Sequence, residues 1–437
     1  LVRAEGDGCF SLHPLIRRCA EPLATDVDGV RERHARYVAR VIGCGARTPP
    51  SPQGRGDEEE VGHLRAAWDW AVAQRDAHVL GDLVGVLTRL LMTHARWSEV
   101  TERMQAALDA GHSLPQPGAS SQEAARAGEW PSLSHRLRAA LAEARFSQGR
   151  LDEAAAQAGT LLDAARAAAD PAAEAAALGT LARVHWMRGE YEAMRAHSLD
   201  RTQALRAAGR SPLELVSAIG MLGLAEKSLG RYEQAISRYQ EALAIARRES
   251  RDVLDLSLPI RLGNLLRSMG RTDEALVVLG EGLEIARRRR ERFAEPYLLT
   301  NLALTYETRG DLTPARVTAS EAVHSARDHG EPSIRAAALL CRARVTAACG
   351  NAGSPGEVAP GADVHAAFEV WKGVGSLPLA VQCIATAGLV LAQQAGADPA
   401  EGVAFVQWAM AHPAFVRSER EDAQHRLERL KLAPEVT

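Results

Sequence analysis

The sequence predicts an all-α chain of helical hairpins stacked into a solenoid. Three observations carry this. First, five related segments open on glycine: Gly149-Arg-Leu-Asp-Glu-Ala154, Gly189-Glu-Tyr-Glu-Ala-Met194, Gly230-Arg-Tyr-Glu-Gln-Ala235, Gly270-Arg-Thr-Asp-Glu-Ala275 and Gly310-Asp-Leu-Thr-Pro-Ala315. These glycines lie 40, 41, 40 and 40 residues apart, and one further step lands on Gly350. A fixed period of roughly 20–50 residues is the mark of a repeat architecture. Second, apolar residues on both sides of each glycine recur at helical spacing. Around Gly230 these are Ile219 and Leu222 on one side and Tyr232, Ala235, Ile236, Tyr239, Ala242 and Leu243 on the other. Third, small residues (Ala142, Ala182, Gly223, Gly263 and Ala303) keep one fixed place ahead of each turn glycine, which lets paired helices approach closely. One hairpin cannot hide its apolar face alone, whereas stacked hairpins can.

Taken along the chain, Leu1–Ala4 and Cys9–Leu12 flank the turn-rich Glu5-Gly-Asp-Gly8 and suit a β-hairpin. A helix is expected from Pro14, and Arg33-His34-Ala35-Arg36-Tyr37 falls on another. Arg47 to Asp57 is a Pro/Gly-rich linker. Asp57 with Glu60 fits a capping box that opens a helix through Trp68 and Trp70. Two further helices are expected near 78–93 and 97–110, with breaks at His112–Ser121 and Gly128–Pro131 before the regular array. Within the array each turn glycine stands where a first helix must stop, and glycine tolerates the positive φ needed there. Pro259 and Pro314 fall early in their helices, where a missing N–H does no harm. Met194 departs from the pattern by replacing a small residue. Asn351–Gly361 reads as an insertion, with helices resuming near 363–373, 377–395 and 398–411. A last amphipathic helix, Phe415–Leu430, is charged along one side and suits a cap with a polar outer face.

Composition excludes several classes. Hydrophobic residues make up 46% and charged residues 24% of 437, the balance of a soluble globular chain with material for a large core. A formal charge of -3 excludes a strongly basic nucleic-acid binder at the level of the whole chain, so no direct nucleic-acid contact is expected. The most apolar run, Val79–Met92, contains Asp82 and Arg89 and falls short of the ~18 apolar residues a membrane span needs. Leu1–Gly8 holds no apolar signal-peptide core. The absence of an initiator Met suggests a start inside a longer product, and the expected compartment is the cytoplasm. The cysteines Cys9, Cys19, Cys44, Cys341, Cys349 and Cys383 form no C-x-x-C pair, so buried free thiols are expected.

Catalytic signals are missing from the pattern. The three lysines, Lys227, Lys372 and Lys431, follow Glu226, Trp371 and Leu430, so no glycine-lysine step of a Walker A loop exists. No Gly-x-Ser-x-Gly elbow, His-Glu-x-x-His helix or complete Gly-x-Gly-x-x-Gly occurs. The reading is therefore of a non-enzymatic chain with no catalytic, metal or cofactor residues. Asp152-Glu153 and Asp273-Glu274 recur at repeat turns and belong to the architecture. Arg287–Arg290 with Arg292 reads either as an anion patch or as a solvated last turn whose cations complement a helix C-terminus. Trp68, Trp70, Trp97 and Trp408 have apolar neighbours and read as packing residues.

The repeat pattern resembles the tetratricopeptide repeat, on Leu222-Gly223, Gly230-Arg-Tyr232, Ala235, Tyr239 and Ala242. The usual unit is about 34 residues. A 40-residue unit lengthens each helix by about three residues, or roughly 4.5 Å. The resemblance implies a right-handed superhelix whose first helices line a concave groove. By repeat register, Arg183, Trp186, Lys227, Asn264, Arg267, Glu307 and Arg344 fall on that inner surface. Arginine and tryptophan are common interface anchors. Several arginines suit an acidic peptide or anionic ligand, the other reading being a solvated face with no dedicated ligand.

A second resemblance rests on order. The hairpin, His13-Pro-Leu-Ile-Arg, Arg33-His-Ala-Arg-Tyr37 and Leu64-Arg-Ala-Ala-Trp-Asp-Trp-Ala71 are similar to the region after the nucleotide-binding core of STAND-class signalling ATPases, more narrowly bacterial NB-ARC-type transcriptional regulators of the SARP group. It implies four regions: the end of a winged-helix domain at 1–25, a helical linker domain with irregular repeats at 26–130, tetratricopeptide repeats at 131–350, and a divergent repeat with a capping helix at 351–437. It also implies that His13 takes the place of a histidine that meets nucleotide phosphate. The partners it implies are a protein or peptide ligand, or a small-molecule inducer, in the groove, and an upstream NTPase domain of the same polypeptide. The function expected is that of a regulatory sensor module. The alternative is a stand-alone tetratricopeptide adaptor.

Overall fold

A computed structural model describes residues 2–4, 10–12, 27–43, 56–112, 121–209, 212–249, 255–329, 331–350, 358–394, 398–415 and 417–429. The chain forms two compact units, Leu1–Arg210 and Ser211–Thr437.

The first unit opens on the expected hairpin. β1 (Val2–Ala4) pairs antiparallel with β2 (Phe10–Leu12), Val2 opposite Leu12 and Ala4 opposite Phe10. His13 and the helix expected from Pro14 lie outside the described residues, so the winged-helix assignment finds no support beyond the hairpin. Eight helices follow among the described residues: α1 (Val27–Gly43), α2 (Gly56–Gln74), α3 (Ala77–Thr93), α4 (Trp97–His112), α5 (Ser121–Ser147), α6 (Leu151–Ala167), α7 (Pro171–Arg188) and α8 (Tyr191–Ala207). Leu64, Trp68, Leu80, Leu83, Leu87, Met104 and Leu137 form one core between α2, α3, α4 and α5. Asp76 caps α3 by accepting from the Val79 N–H at 3.1 Å. Asp170 caps α7 in the same way, accepting from Ala172 and Ala173, and its other oxygen meets Nδ1 of buried His135 at 2.9 Å.

The break expected at Gly128–Pro131 does not occur: α5 runs through Pro131. An interior proline costs a helix about 3 kcal/mol. Here Trp130 is buried against Gly111 of α4, and Leu133 and Leu137 enter the same core, so apolar burial offsets the lost backbone bond.

The second unit holds α9 (Pro212–Ser228), α10 (Tyr232–Glu249), α11 (Ser257–Ser268), α12 (Thr272–Arg289), α13 (Ala294–Arg309), α14 (Leu312–His329), α15 (Pro332–Ala348), α16 (Pro360–Val374), α17 (Leu377–Ala392), α18 (Pro399–Ala411) and α19 (Arg417–Arg429). Its core runs from hairpin to hairpin, through Ile219, Tyr239, Leu262, Leu279 and Leu298 and on to Leu299, Val323, Leu339 and Val370. Pro259 and Pro314 lie in the first turns of α11 and α14. Trp408 is 52% exposed, against the packing role expected of it. On α18 it is Val406 and Ala409 that face the core, and Trp408 falls on the other side.

The turn glycines behave as the repeat requires. Gly149, Gly189, Gly230, Gly270, Gly310 and Gly350 have φ of 76°, 74°, 76°, 76°, 98° and 74°. The small residue ahead of each turn lets the two helices touch: a Cβ on Gly223 would stand 2.9 Å from Tyr239 Cε1. The turn carboxylates link neighbouring repeats. Arg188 pairs with Asp152, and Arg309 with Asp273 at 2.9 Å, from equivalent positions in their repeats. The arginine run closes α12: Arg287 pairs with Glu295 at 2.9 Å and with Glu321, and Arg289 pairs with Glu291. Cys341 and Cys383 are buried free thiols, pushed by burial up to about 12 and about 11.

Candidate functional site

The seven residues predicted for the inner surface stand on first helices of the hairpins, six or three positions before a turn glycine. In the first unit, Arg183 and Trp186 lie on α7. The Arg183 guanidinium makes a two-point ion pair with Glu143 of α5, with Nη1 2.7 Å from Oε1, and its Cζ sits 4.5 Å from the Phe146 ring centroid. Glu143 and Phe146 hold the same two positions one repeat earlier. Arg183 is therefore engaged within its own wall, while Trp186, 43% exposed, presents a large aromatic surface beside it.

In the second unit, Lys227, Asn264, Arg267, Glu307 and Arg344 come from α9, α11, α13 and α15. Three of them meet on the chain's own last helix. The Asp422 carboxylate of α19 accepts from Arg267 Nη1 at 2.9 Å, from Arg344 Nη1 at 3.5 Å and from Arg426 Nε at 2.8 Å. Glu307 accepts from Arg344 Nη2 at 3.2 Å and from Arg426 Nη1. Two acids and three arginines thus interlock, with Asp422 between two repeats and Arg426 reaching back to a third helix. At the edge, the Tyr232 hydroxyl donates to Glu421 at 3.4 Å. Lys227 faces Arg261, Arg267 and Glu421. Among the described residues no hydrogen bond joins Asn264 to this cluster.

The electrostatics follow from burial opposed by close opposite charge. Burial pushes the Glu307 carboxyl up, but Arg426 and Arg344 outweigh it and hold it at about 2. Asp422 is held well below the ordinary aspartate range against burial by Arg426, Arg344 and Arg267. Burial, and then the neighbouring Arg261 and Arg267, lower Lys227. On the adjacent face of α19, Ala423 and Leu427 pack with Phe415, Val381, Leu389 and Val406. Beside the ion cluster lies a cleft of about 200 Å³ lined by Glu307, Leu312, Arg344, Gln393 and Arg426.

The charged side chains of this cluster are paired with one another. Among the described residues no group of three or more His, Cys, Asp or Glu could hold a metal ion, and no helix is long and apolar enough to cross a membrane. Asp422, Arg426 and Glu421 were missed by sequence reasoning, which placed the last helix only as a cap. The one available signal was the Asp422–Arg426 pair, four apart on a polar helix. It names a surface pair far more often than a groove contact.

The tetratricopeptide repeat family matches residues 213–288. No curated protein matches the chain. Among solved structures, the chain is similar to a signal-transduction ATPase with numerous domains (STAND) carrying a tetratricopeptide-repeat sensor, from Pyrococcus horikoshii. Identity is 15% and TM-score 0.53, over 87% of this chain and 58% of that one. It is similar to a Rap protein complexed with Competence and Sporulation Factor, at 12% identity and TM-score 0.53, over 80% of this chain and 93% of that one. It is similar as well to the apo form of the quorum sensor NprR from B. thuringiensis, at 13% identity and TM-score 0.52, over 81% and 98%. At these identities the likeness is one of fold. The hairpins, their turn glycines and the matched segment make this an all-α array of tetratricopeptide-repeat fold.

Proposed function

We propose that the chain is the regulatory binding module of a signalling ATPase that controls transcription. The inner face of the second unit takes a protein or peptide partner, or a small-molecule inducer, and an upstream NTPase domain of the same polypeptide reads its occupancy. One observation carries this reading: arginines from two repeats that flank a third, Arg267 and Arg344, converge on a single carboxylate, that of Asp422. The array therefore has the geometry to hold a helical segment that presents a carboxylate. The resemblance to a STAND sensor array supports the coupling to an ATPase, and the Rap protein seen with its factor supports a sensing role for this fold.

Occupancy moves an ATPase between closed and open states only through differential affinity, and a full switch needs about 10⁴-fold. The test compares partner affinity for the isolated chain and for the chain joined to its native upstream region. Equal affinities would remove the switch. Reading the coding frame ahead of Leu1 is the companion test: a Walker motif in frame supports the module, and a start codon at Leu1 would make the chain a plain adaptor.

A further inference from the structure

The groove of the second unit is filled by a segment of the same chain. α19 presents Asp422 to Arg267 and Arg344, and Arg426 to Glu307, across 155 residues of sequence in the first case and 119 in the last. The grip is mainly ionic. Among the described side chains of α19, Ala423 and Leu427 are the buried apolar ones, and the third buried residue is Arg426. Buried ion pairs give little net stability, because desolvation cancels most of their attraction, yet they impose strict geometry. A helix of 13 residues is marginal by itself. The contact thus combines high selectivity with a weak hold. If α19 leaves, Arg267 and Arg344 lose the carboxylate between them, and Lys227 loses Glu421. What remains is a basic strip with Glu307 as its acidic mark.

We propose that α19 is an exchangeable occupant of this groove, and that the partner which replaces it is a helix carrying its charge pattern: a carboxylate to sit between Arg267 and Arg344, and an arginine four residues later to meet Glu307. The proposal rests on the groove being the binding site, and adds the partner's chemistry and the regulation. Bound α19 keeps the site closed to helices lacking either charge. A matching helix competes for the same three groove residues, Arg267, Arg344 and Glu307.

The experiment uses the full chain and a fluorescent synthetic peptide of residues 417–429. Its binding is measured to the wild type, to the Asp422→Asn/Arg426→Gln variant, and to that variant with Arg344→Glu added. The expected result is weak binding to the wild type, at least about ten-fold tighter binding once α19 is weakened, and loss of binding with Arg344→Glu. A peptide with lysine in place of the Asp422 residue should not bind. Equal binding to wild type and double variant, abolished in each by Arg344→Glu, would overturn the exchange while leaving the groove as a binding site. No binding anywhere, or binding indifferent to Arg344→Glu, would overturn both. A measurement on the wild type alone guards against variants that fail to fold. Amide hydrogens of α19 should exchange faster than those of α13 and α15. Exchange of α19 only with global unfolding would overturn the proposal.

Discussion

Gly263 of α11 lies so close to Leu279 of α12 that a Cβ on the glycine would stand 2.6 Å from Leu279 Cδ2. Gly223 and Tyr239 repeat the relationship one hairpin earlier. Where the first residue of such a pair is alanine, its partner is small. Ala142 shares a core with Ala158, Ala303 shares one with Ala319, and Ala182 and Ser198 are likewise fully buried. Volume is traded across one seam that recurs through the repeats, so the hairpins keep one spacing while their sequences vary.

The trade predicts a coupling. Gly263→Ala should cost about 1–3 kcal/mol, the usual penalty of overpacking. Leu279→Ala should cost about 2–5 kcal/mol through the cavity it leaves. The double variant recreates the Ala303–Ala319 pair, so its cost should fall short of the sum by at least about 1 kcal/mol. Urea denaturation of the four proteins measures this. Strict additivity would show that the two residues do not share a seam.

Arg290 ends α12 with φ of 55°, a left-handed conformation that an L side chain adopts at a cost of about 1–2 kcal/mol. Arg290→Gly should therefore raise stability by about 1 kcal/mol, seen as a higher melting midpoint. The neighbouring Arg287 keeps its ion pairs with Glu295 and Glu321, so the inter-repeat contact remains as an internal control.

Two ion pairs that look alike in sequence should differ in weight. Arg342 clasps Asp363, which is almost fully buried, through Nε–Oδ2 at 2.7 Å and Nη2–Oδ1 at 2.6 Å. Removing the arginine strands a buried charge, so Arg342→Ala should cost about 3–5 kcal/mol. Arg309 pairs with Asp273 at 2.9 Å, but Asp273 is 85% exposed. Arg309→Ala should change stability by less than about 1 kcal/mol. Chemical denaturation of the two variants checks the contrast.

Acid should unfold both units from a specific side. The hydrogen bond from Arg65 holds the Glu99 carboxyl at about 2 against burial, with Arg103 helping, and Glu307 of the second unit is also held at about 2. A depressed carboxylate contributes stability that is complete above its ordinary value of 4.5 and is lost as pH falls through about 2. The melting midpoint should hold from pH 6 to about 5 and then decline steadily toward pH 2. Glu99→Gln should lower the midpoint at pH 6 and flatten that decline. A decline of unchanged steepness in the variant would remove Glu99 from the account.

Much of the architecture was legible because its causes are local. A turn glycine must adopt positive φ wherever a first helix stops, and the six that do so were marked by spacing alone. Pro259 and Pro314 were placed in first turns because a proline is tolerated there. Pro131 was misread as a breaker, since the sequence around it does not announce that Trp130 packs on Gly111. Trp408 was misread for the mirror-image reason: an apolar neighbourhood in sequence does not say which side of α18 meets the core.

Repeat register also placed Arg267, Glu307 and Arg344 on the first helices of their hairpins, since helical periodicity decides which residues share a face before any folding. The chain alone therefore determined the hairpins, their step and the face that carries Arg267, Glu307 and Arg344. Tertiary structure alone decided that this face is occupied, and by what. Asp422 reaches Arg267 only after the intervening helices have stacked and turned the chain back on itself. The partner of a charge is chosen by proximity in space, and for residues this far apart proximity is a property of the whole unit's packing, which no local pattern records.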